Sequence, residues 1–223
     1  MHNVDLHCPI EINAKTLIYI KKPSKECTLN HDRSNGWEAV AQEFIAARSD
    51  IGSSVVRQWA RSLPARAEVV DIGCGSGAPM AIALAEEGCS VFGIDASPTL
   101  LAAFRQRLPA ASAACETVQG SSFFGRKFDG ALAVGLIFLL SEREQRELIL
   151  RVANALHTGA RFLFSAPREP SAWNDLQTGQ PSRSLGEQHY LRLLAEAGFT
   201  LLTVHVDEGG NHYFDAILYD GCT

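Results

Sequence analysis

The sequence predicts one α/β domain built on a mostly parallel sheet that is closed at one edge by an antiparallel hairpin. Three observations predict it. From Trp37 onward, strand-like apolar runs alternate with amphipathic helical segments, the pattern that threads parallel strands through crossover helices. One strand, Glu68–Ile72, runs directly into the glycine turn Gly73-Cys74-Gly75-Ser76-Gly77 and then into a helix rich in Ala, Ile and Leu. Near the end, strands Thr200–Val206 and His212–Tyr219 are separated by only five residues, too few for a crossover and enough for a hairpin. At 223 residues, the chain suits one such domain with a sizeable core.

Residues 1–33 differ in texture, with a strand-like run Thr16–Ile20 followed by a polar, lysine-bearing stretch. They are read as an N-terminal extension to a domain over residues 34–223. Trp37, Val40, Ala41, Phe44 and Ile45 then line one face of a helix that Ser34 or Asn35 would cap. A second helix near Ser53–Ser62 gathers Val55, Val56, Trp59 and Leu63, and Pro64 follows where it stops.

After the glycine-turn unit, strand Ser90–Ile94 ends at Asp95, with Ser97 as cap and Pro98 in the first turn of a helix through Arg107. Phe128–Leu140 reads as a buried strand running into an apolar segment. Ser141-Glu142-Arg143-Glu144 is a capping box for a helix to Leu156, and Gly159 turns the chain into strand Arg161–Ser165. A second box, Ser184-Leu185-Gly186-Glu187, opens a helix that buries Tyr190, Leu193, Leu194 and Ala197 and ends at Gly198.

The formal charge of −5 and a pI near 5.8 leave no basic footprint, which disfavours a nucleic-acid partner and favours a small-molecule substrate. No secretory signal and no bilayer-spanning window is visible. Six scattered cysteines form no metal or disulfide framework, so reduced thiols in a cytoplasmic protein without a metal are expected. Monomer and homodimer both fit.

A glycine turn between strand and helix brings backbone close to a ligand, and the helix N-terminus offers unpaired N–H groups to negative charge. Asp95, twenty residues after Gly75, is placed to accept hydrogen bonds from both hydroxyls of a ribose. A nucleoside ligand follows. The spacing Gly73-x-Gly75-x-x-Ala78 also satisfies the dinucleotide fingerprint, so a nicotinamide-dependent oxidoreductase is the alternative. Against it stand Asp71, the third glycine Gly77, the closing hairpin and the lack of a Tyr-x-x-x-Lys pair.

The run Val69-Val70-Asp71-Ile72-Gly73-Cys74-Gly75-Ser76-Gly77 resembles the first motif of class I S-adenosylmethionine-dependent methyltransferases. The resemblance continues through Gly93-Ile94-Asp95-Ala96-Ser97, Phe128–Leu132 and Leu156–Phe162, and covers about Trp37 to Tyr219. It implies a Rossmann-like seven-stranded sheet of order three-two-one-four-five-seven-six, its last strand antiparallel and helices on both faces. It implies S-adenosyl-L-methionine as cofactor, with Asp71, Gly73, Cys74, Gly75 and Gly77 on the methionine side and Asp95 with Ala96 on the ribose. Ser121 and Ser122 stand where many members carry the acid that meets adenine. Trp37 and Arg48 match an opening helix whose aromatic and arginine approach the cofactor.

Methyl transfer from a sulfonium is an in-line displacement in which alignment does most of the work, so no catalytic base is named. His189, His205 and His212 read as structural or surface residues. The long connection 166–183 leaves the carboxyl end of a strand, the side on which open α/β sheets bind ligands. It is proposed as a wall of the acceptor pocket, with Trp173, His189 and Tyr190 as candidate contacts. A cofactor-binding but inactive scaffold is the reading of another class.

Overall fold

The computed structural model describes residues 32–47 and 49–219. The run Thr16–Ile20 and three of the cysteines, Cys8, Cys27 and Cys222, lie outside them. The elements are α1 (Ala41–Ala47), α2 (Ser53–Ala60), β1 (Glu68–Ile72), α3 (Met80–Glu86), β2 (Ser90–Asp95), α4 (Pro98–Arg107), β3 (Ser112–Cys115) and β4 (Phe128–Ala133). There follow α5 (Glu142–Ala155), β5 (Leu156–Ser165), β6 (Ser171–Asn174), β7 (Pro181–Ser184), α6 (Glu187–Glu196), β8 (Phe199–Val206) and β9 (His212–Leu218).

Seven strands form one sheet in the order β3-β2-β1-β4-β5-β9-β8. All neighbouring pairs from β3 to β5 are parallel, while β9 runs antiparallel to both β5 and β8. With β6 and β7 set aside as a separate two-stranded hairpin, this is the expected order three-two-one-four-five-seven-six.

Successive residues of the central strands feed opposite layers, as the period of two requires. Val70 and Ile72 of β1, Ala131 and Ala133 of β4, and Phe162 and Phe164 of β5 pack with α5 and α6. Val69, Leu132 and Leu163 face the other way, onto Val55, Val56 and Trp59 of α2, Leu84 of α3 and Phe104 of α4. Asp215, fully buried in β9, locks the far side of the sheet. It accepts from Trp59 Nε1 at 3.2 Å and Arg161 Nε at 3.1 Å, is paired with Arg161 Nη2, and faces His205 Nε2 at 3.3 Å.

Four local expectations are corrected. The first helix begins at Ala41 and not at Trp37, because Asp32 accepts the amides of Ser34 and Gly36 and the left-handed Asn35 and Gly36 hold residues 33–40 in turns. Gly159 lies inside β5, where the register to β4 jumps from Phe128↔Leu156 to Gly130↔Arg161, so its positive φ of 81° serves an irregularity within the strand. At the second predicted box, Gly186 caps α6 without a side chain, and the Ser184 hydroxyl is spent on the Pro167 carbonyl at 2.6 Å. The connection 166–183 holds the β6–β7 hairpin, whose turn is wound around Asp175 Oδ1 by the amides of Gln177 and Thr178 and the Thr178 hydroxyl. The first box, at Ser141 and Glu144, is present in full.

Among the described residues, no helix is long and apolar enough to cross a membrane.

Candidate functional site

β1, β2 and β3 are adjacent and parallel, so the residues that end them share one edge of the sheet. Asp71 is the penultimate residue of β1, Asp95 the last of β2, and Glu116 follows β3, with its amide donating to the Asp95 carbonyl at 3.0 Å. Three carboxylates therefore border one cavity of about 300 Å³ above the carboxyl ends of these strands. Its floor is the turn Gly73-Cys74-Gly75. Leu136, Phe138, Leu139 and Leu140, which follow β4, form an apolar wall, and Arg33, Ser34, Asn35, Trp37 and Phe44 form the roof.

The turn works by clearance. Gly73 and Gly75 adopt φ of 70° and 53°, which L side chains rarely tolerate. A Cβ on Gly73 would stand 3.1 Å from Leu136, and one on Gly75 3.2 Å from Phe44, narrowing the space between floor, wall and roof. Four amides of the turn are already engaged. Gly73 and Cys74 donate to the Ile94 carbonyl, Gly75 to Asp95 and Gly77 to the Cys74 carbonyl. Backbone here shapes the floor without offering those donors.

Asp95 is the polar centre. Its Oδ2 accepts from Gly75 N and its Oδ1 from Ser97 N, each at 2.8 Å, which leaves each oxygen a further lone pair. Burial pushes its carboxyl above the ordinary range against these two amides, and the charge of Glu38 adds to the push. Burial above all, then the charges of Asp71 and Asp95, hold the Cys74 thiol protonated and unreactive.

Two polar atoms of the cavity wall are buried with no hydrogen-bond partner among the described residues: Trp37 Nε1 in the roof and Glu116 Oε2 at the end of β3. An unmet buried donor or acceptor costs about 1–3 kcal/mol. The pair places one donor and one acceptor on the cavity wall.

Of the residues singled out from sequence, Trp37, Asp71, Gly73, Cys74, Gly75, Asp95 and Ala96 come together around this cavity. Gly77 packs against Phe104 and Leu108 behind the turn. Arg48 lies outside the described residues. Ser121 and Ser122 do not line the cavity; they border a separate depression beside Arg126 and Arg151, and the Ser121 hydroxyl accepts the Phe123 amide at 3.0 Å.

The three acceptor candidates lie elsewhere too. Trp173 touches the site only through its ring contact with Phe138, at 5.5 Å between centroids. Tyr190 is fully buried, its hydroxyl donating to Gln145 Oε1 at 2.9 Å and accepting the Leu185 amide at 3.2 Å. His189 sits half-buried 3.9 Å from Glu142, outside the cavity. From the 166–183 connection, only Asp175 reaches the wall. Glu116, missed from sequence, follows β3, a strand that the sequence does not announce.

Residues 69–159 match a family model described as a methyltransferase domain. No curated protein matches the sequence. Among solved structures, the chain is similar to magnesium protoporphyrin IX methyltransferase from Synechocystis PCC 6803 with bound SAM, at 17% identity over 84% of this chain and 94% of that one, with a TM-score of 0.65. It is similar to 1,6-didemethyltoxoflavin-N1-methyltransferase from Burkholderia thailandensis, with bound 1,6-didemethyltoxoflavin and S-adenosylhomocysteine, at 21% identity over 84% and 91%, with a TM-score of 0.62. A third likeness is to the CcbJ methyltransferase from Streptomyces caelestis, at 16% identity over 85% and 98%, with a TM-score of 0.65.

Proposed function

We propose that the chain is a class I S-adenosylmethionine-dependent methyltransferase and that it methylates a small-molecule acceptor held between the roof residues Arg33–Trp37, the apolar wall at Phe138–Leu140 and Asp175. The observation that carries this reading is the cavity itself, with Asp95 half-satisfied at its centre and two unpartnered polar atoms on its rim.

The residues fit the cofactor. Asp95 would accept the ribose hydroxyls on its spare lone pairs, and Glu116 would accept the adenine amino group, the place expected for Ser121. The indole N–H of Trp37 would donate to the bound molecule from above, and the clearance at Gly73 and Gly75 would admit the methionine part. Bound there, S-adenosylmethionine supplies an electrophilic methyl group on a sulfonium. The chain's share of the chemistry is alignment and exclusion of water, with the acceptor's lone pair in line with the departing sulfur.

Among the described residues that line the cavity, the acidic side chains are Asp71, Asp95, Glu116 and Asp175. Among the described residues no His, Lys or Tyr lines it, which suits an acceptor whose nucleophilic atom already carries an available lone pair. A cavity of this size and a net charge of −5 support a small molecule over a nucleic acid. The small-molecule enzymes among the structural neighbours are consistent with that class.

Calorimetric titration with S-adenosylmethionine, S-adenosylhomocysteine and NAD tests the cofactor, and binding of NAD alone would end this reading. A screen of metabolite fractions with methyl-labelled donor tests the acceptor: label must pass to a small molecule, and label found only in protein or nucleic acid refutes the acceptor class.

A further inference from the structure

Glu38 was given no role by the sequence, yet it joins the roof to the polar centre of the cavity. Its carboxylate accepts the Ser97 hydroxyl, the Thr99 amide at 3.1 Å and the Thr99 hydroxyl at 2.5 Å, across 59 to 61 residues of chain. Ser97 is fully buried, and its amide is the donor that holds Asp95 Oδ1. One turn, Asp95–Thr99, is thus gripped from the sheet side by Asp95 and from the roof side by Glu38.

The roof end of this connection is also built. Ser34 Oγ accepts the Glu38 amide at 2.8 Å and donates to Asp32 Oδ1 at 2.6 Å. Trp37, next to Glu38 in the chain, carries the unpartnered indole N–H of the cavity wall, and Phe44 of the same segment lies over Gly75. A continuous hydrogen-bonded path therefore runs Asp32–Ser34–Glu38–Ser97–Asp95–Gly75, from the roof to the glycine floor.

We propose that Glu38 is a positioning residue that couples closure of the Asp32–Ala47 roof to the orientation of the Asp95 carboxylate, and so sets how long the cofactor stays bound. This rests on the reading of Asp95 as the ribose acceptor. A carboxylate at the start of α4 also complements the helix dipole, a purely structural role. The two differ in what they move. A dipole partner changes overall stability, whereas a latch changes the opening of one segment and the release of the ligand beneath it.

The test compares wild type, E38Q and E38A by the rate of S-adenosylhomocysteine dissociation and by hydrogen exchange. In E38A, residues 34–47 should exchange about tenfold faster in the free protein and the ligand should leave about tenfold faster, with exchange in β8 and β9 unchanged. E38Q, which keeps one acceptor oxygen, should fall between. Equal dissociation rates in all three proteins, with only the melting temperature lowered, overturn the proposal. Should E38A not fold, Thr99→Val removes one donor to Glu38, and an unchanged release rate in that variant overturns it equally. A wild type that binds no S-adenosylhomocysteine overturns the cofactor reading and this proposal together, whereas binding with unaltered release overturns this proposal alone.

Discussion

The amide of Gly75 donates to Asp95 Oδ2 at 2.8 Å, so the glycine floor and the carboxylate that ends the next strand form one unit. Asp95→Ala removes the proposed ribose acceptor and the anchor of the floor in one step. Loss of a hydrogen bond to a charged group predicts cofactor binding weaker by about 1.5–3 kcal/mol, roughly ten- to 150-fold. Calorimetry with S-adenosylhomocysteine reads this directly, and wild-type affinity in the variant removes Asp95 from the ribose site.

The raised carboxyl of Asp95 gives binding an acid limit. Ribose hydroxyls donate best to the ionised form, so affinity is full above the raised pKa and falls as pH drops through it, beginning above the ordinary carboxylate range. For the free fold the sign reverses: a raised acid contributes stability below its unfolded pKa that is lost as pH rises through the folded one. Burial pushes Glu38 up, but the Ser97 and Thr99 donors outweigh it and hold it below its usual value, so its latch fails only in stronger acid. A pH series of titrations should show a mild-acid decline in wild type that Asp95→Asn flattens. A parallel decline in both proteins assigns the effect elsewhere.

Asp215 and Arg161 are a buried pair, at 0% and 17% side-chain exposure. Removing either partner takes the countercharge from the other, so Asp215→Ala and Arg161→Met should each cost about 3–5 kcal/mol, the loss at Arg161 tempered by the Trp59 donor that Asp215 keeps. The double variant should lose clearly less than the two single losses added together. Denaturant unfolding of the four proteins measures the coupling, and simple additivity shows that the pair does not act as one.

Tyr190→Phe separates core from pocket. The hydroxyl bridges Gln145 and the Leu185 amide in the interior, so its loss should lower stability by about 1–3 kcal/mol and leave cofactor affinity unchanged. A change in affinity at constant stability would return Tyr190 to the ligand site.

How far the sequence could be read follows from where each signal resides. Strands β1, β2, β4 and β5 and the hairpin β8–β9 announce themselves by apolar runs bounded by Gly, Asp or Ser, and Asp95 by its place at such a boundary. β3 does not, because Ser-Ala-Ala-Cys has little strand propensity and is held by its pairing with β2. With β3 unread, Glu116 carried no position, and its place on the cavity wall went unseen while Ser121, five residues on, was singled out. Glu38 was illegible for another reason: its partners lie 59 to 61 residues away, and no local pattern encodes a tertiary hydrogen bond. Tyr190 was legible as a buried helix residue, and its place outside the cavity was not, because that depends on the packing of α6 against α5 and the sheet.

The β6–β7 hairpin departs from the end of β5 and rejoins the body at α6, outside the seven-stranded order, and lends the cavity a single side chain, Asp175. Its length and composition can therefore drift while the cradle beneath stays fixed. An insertion or exchange in this hairpin away from Asp175 leaves the strand ends, and the carboxylates they carry, in place.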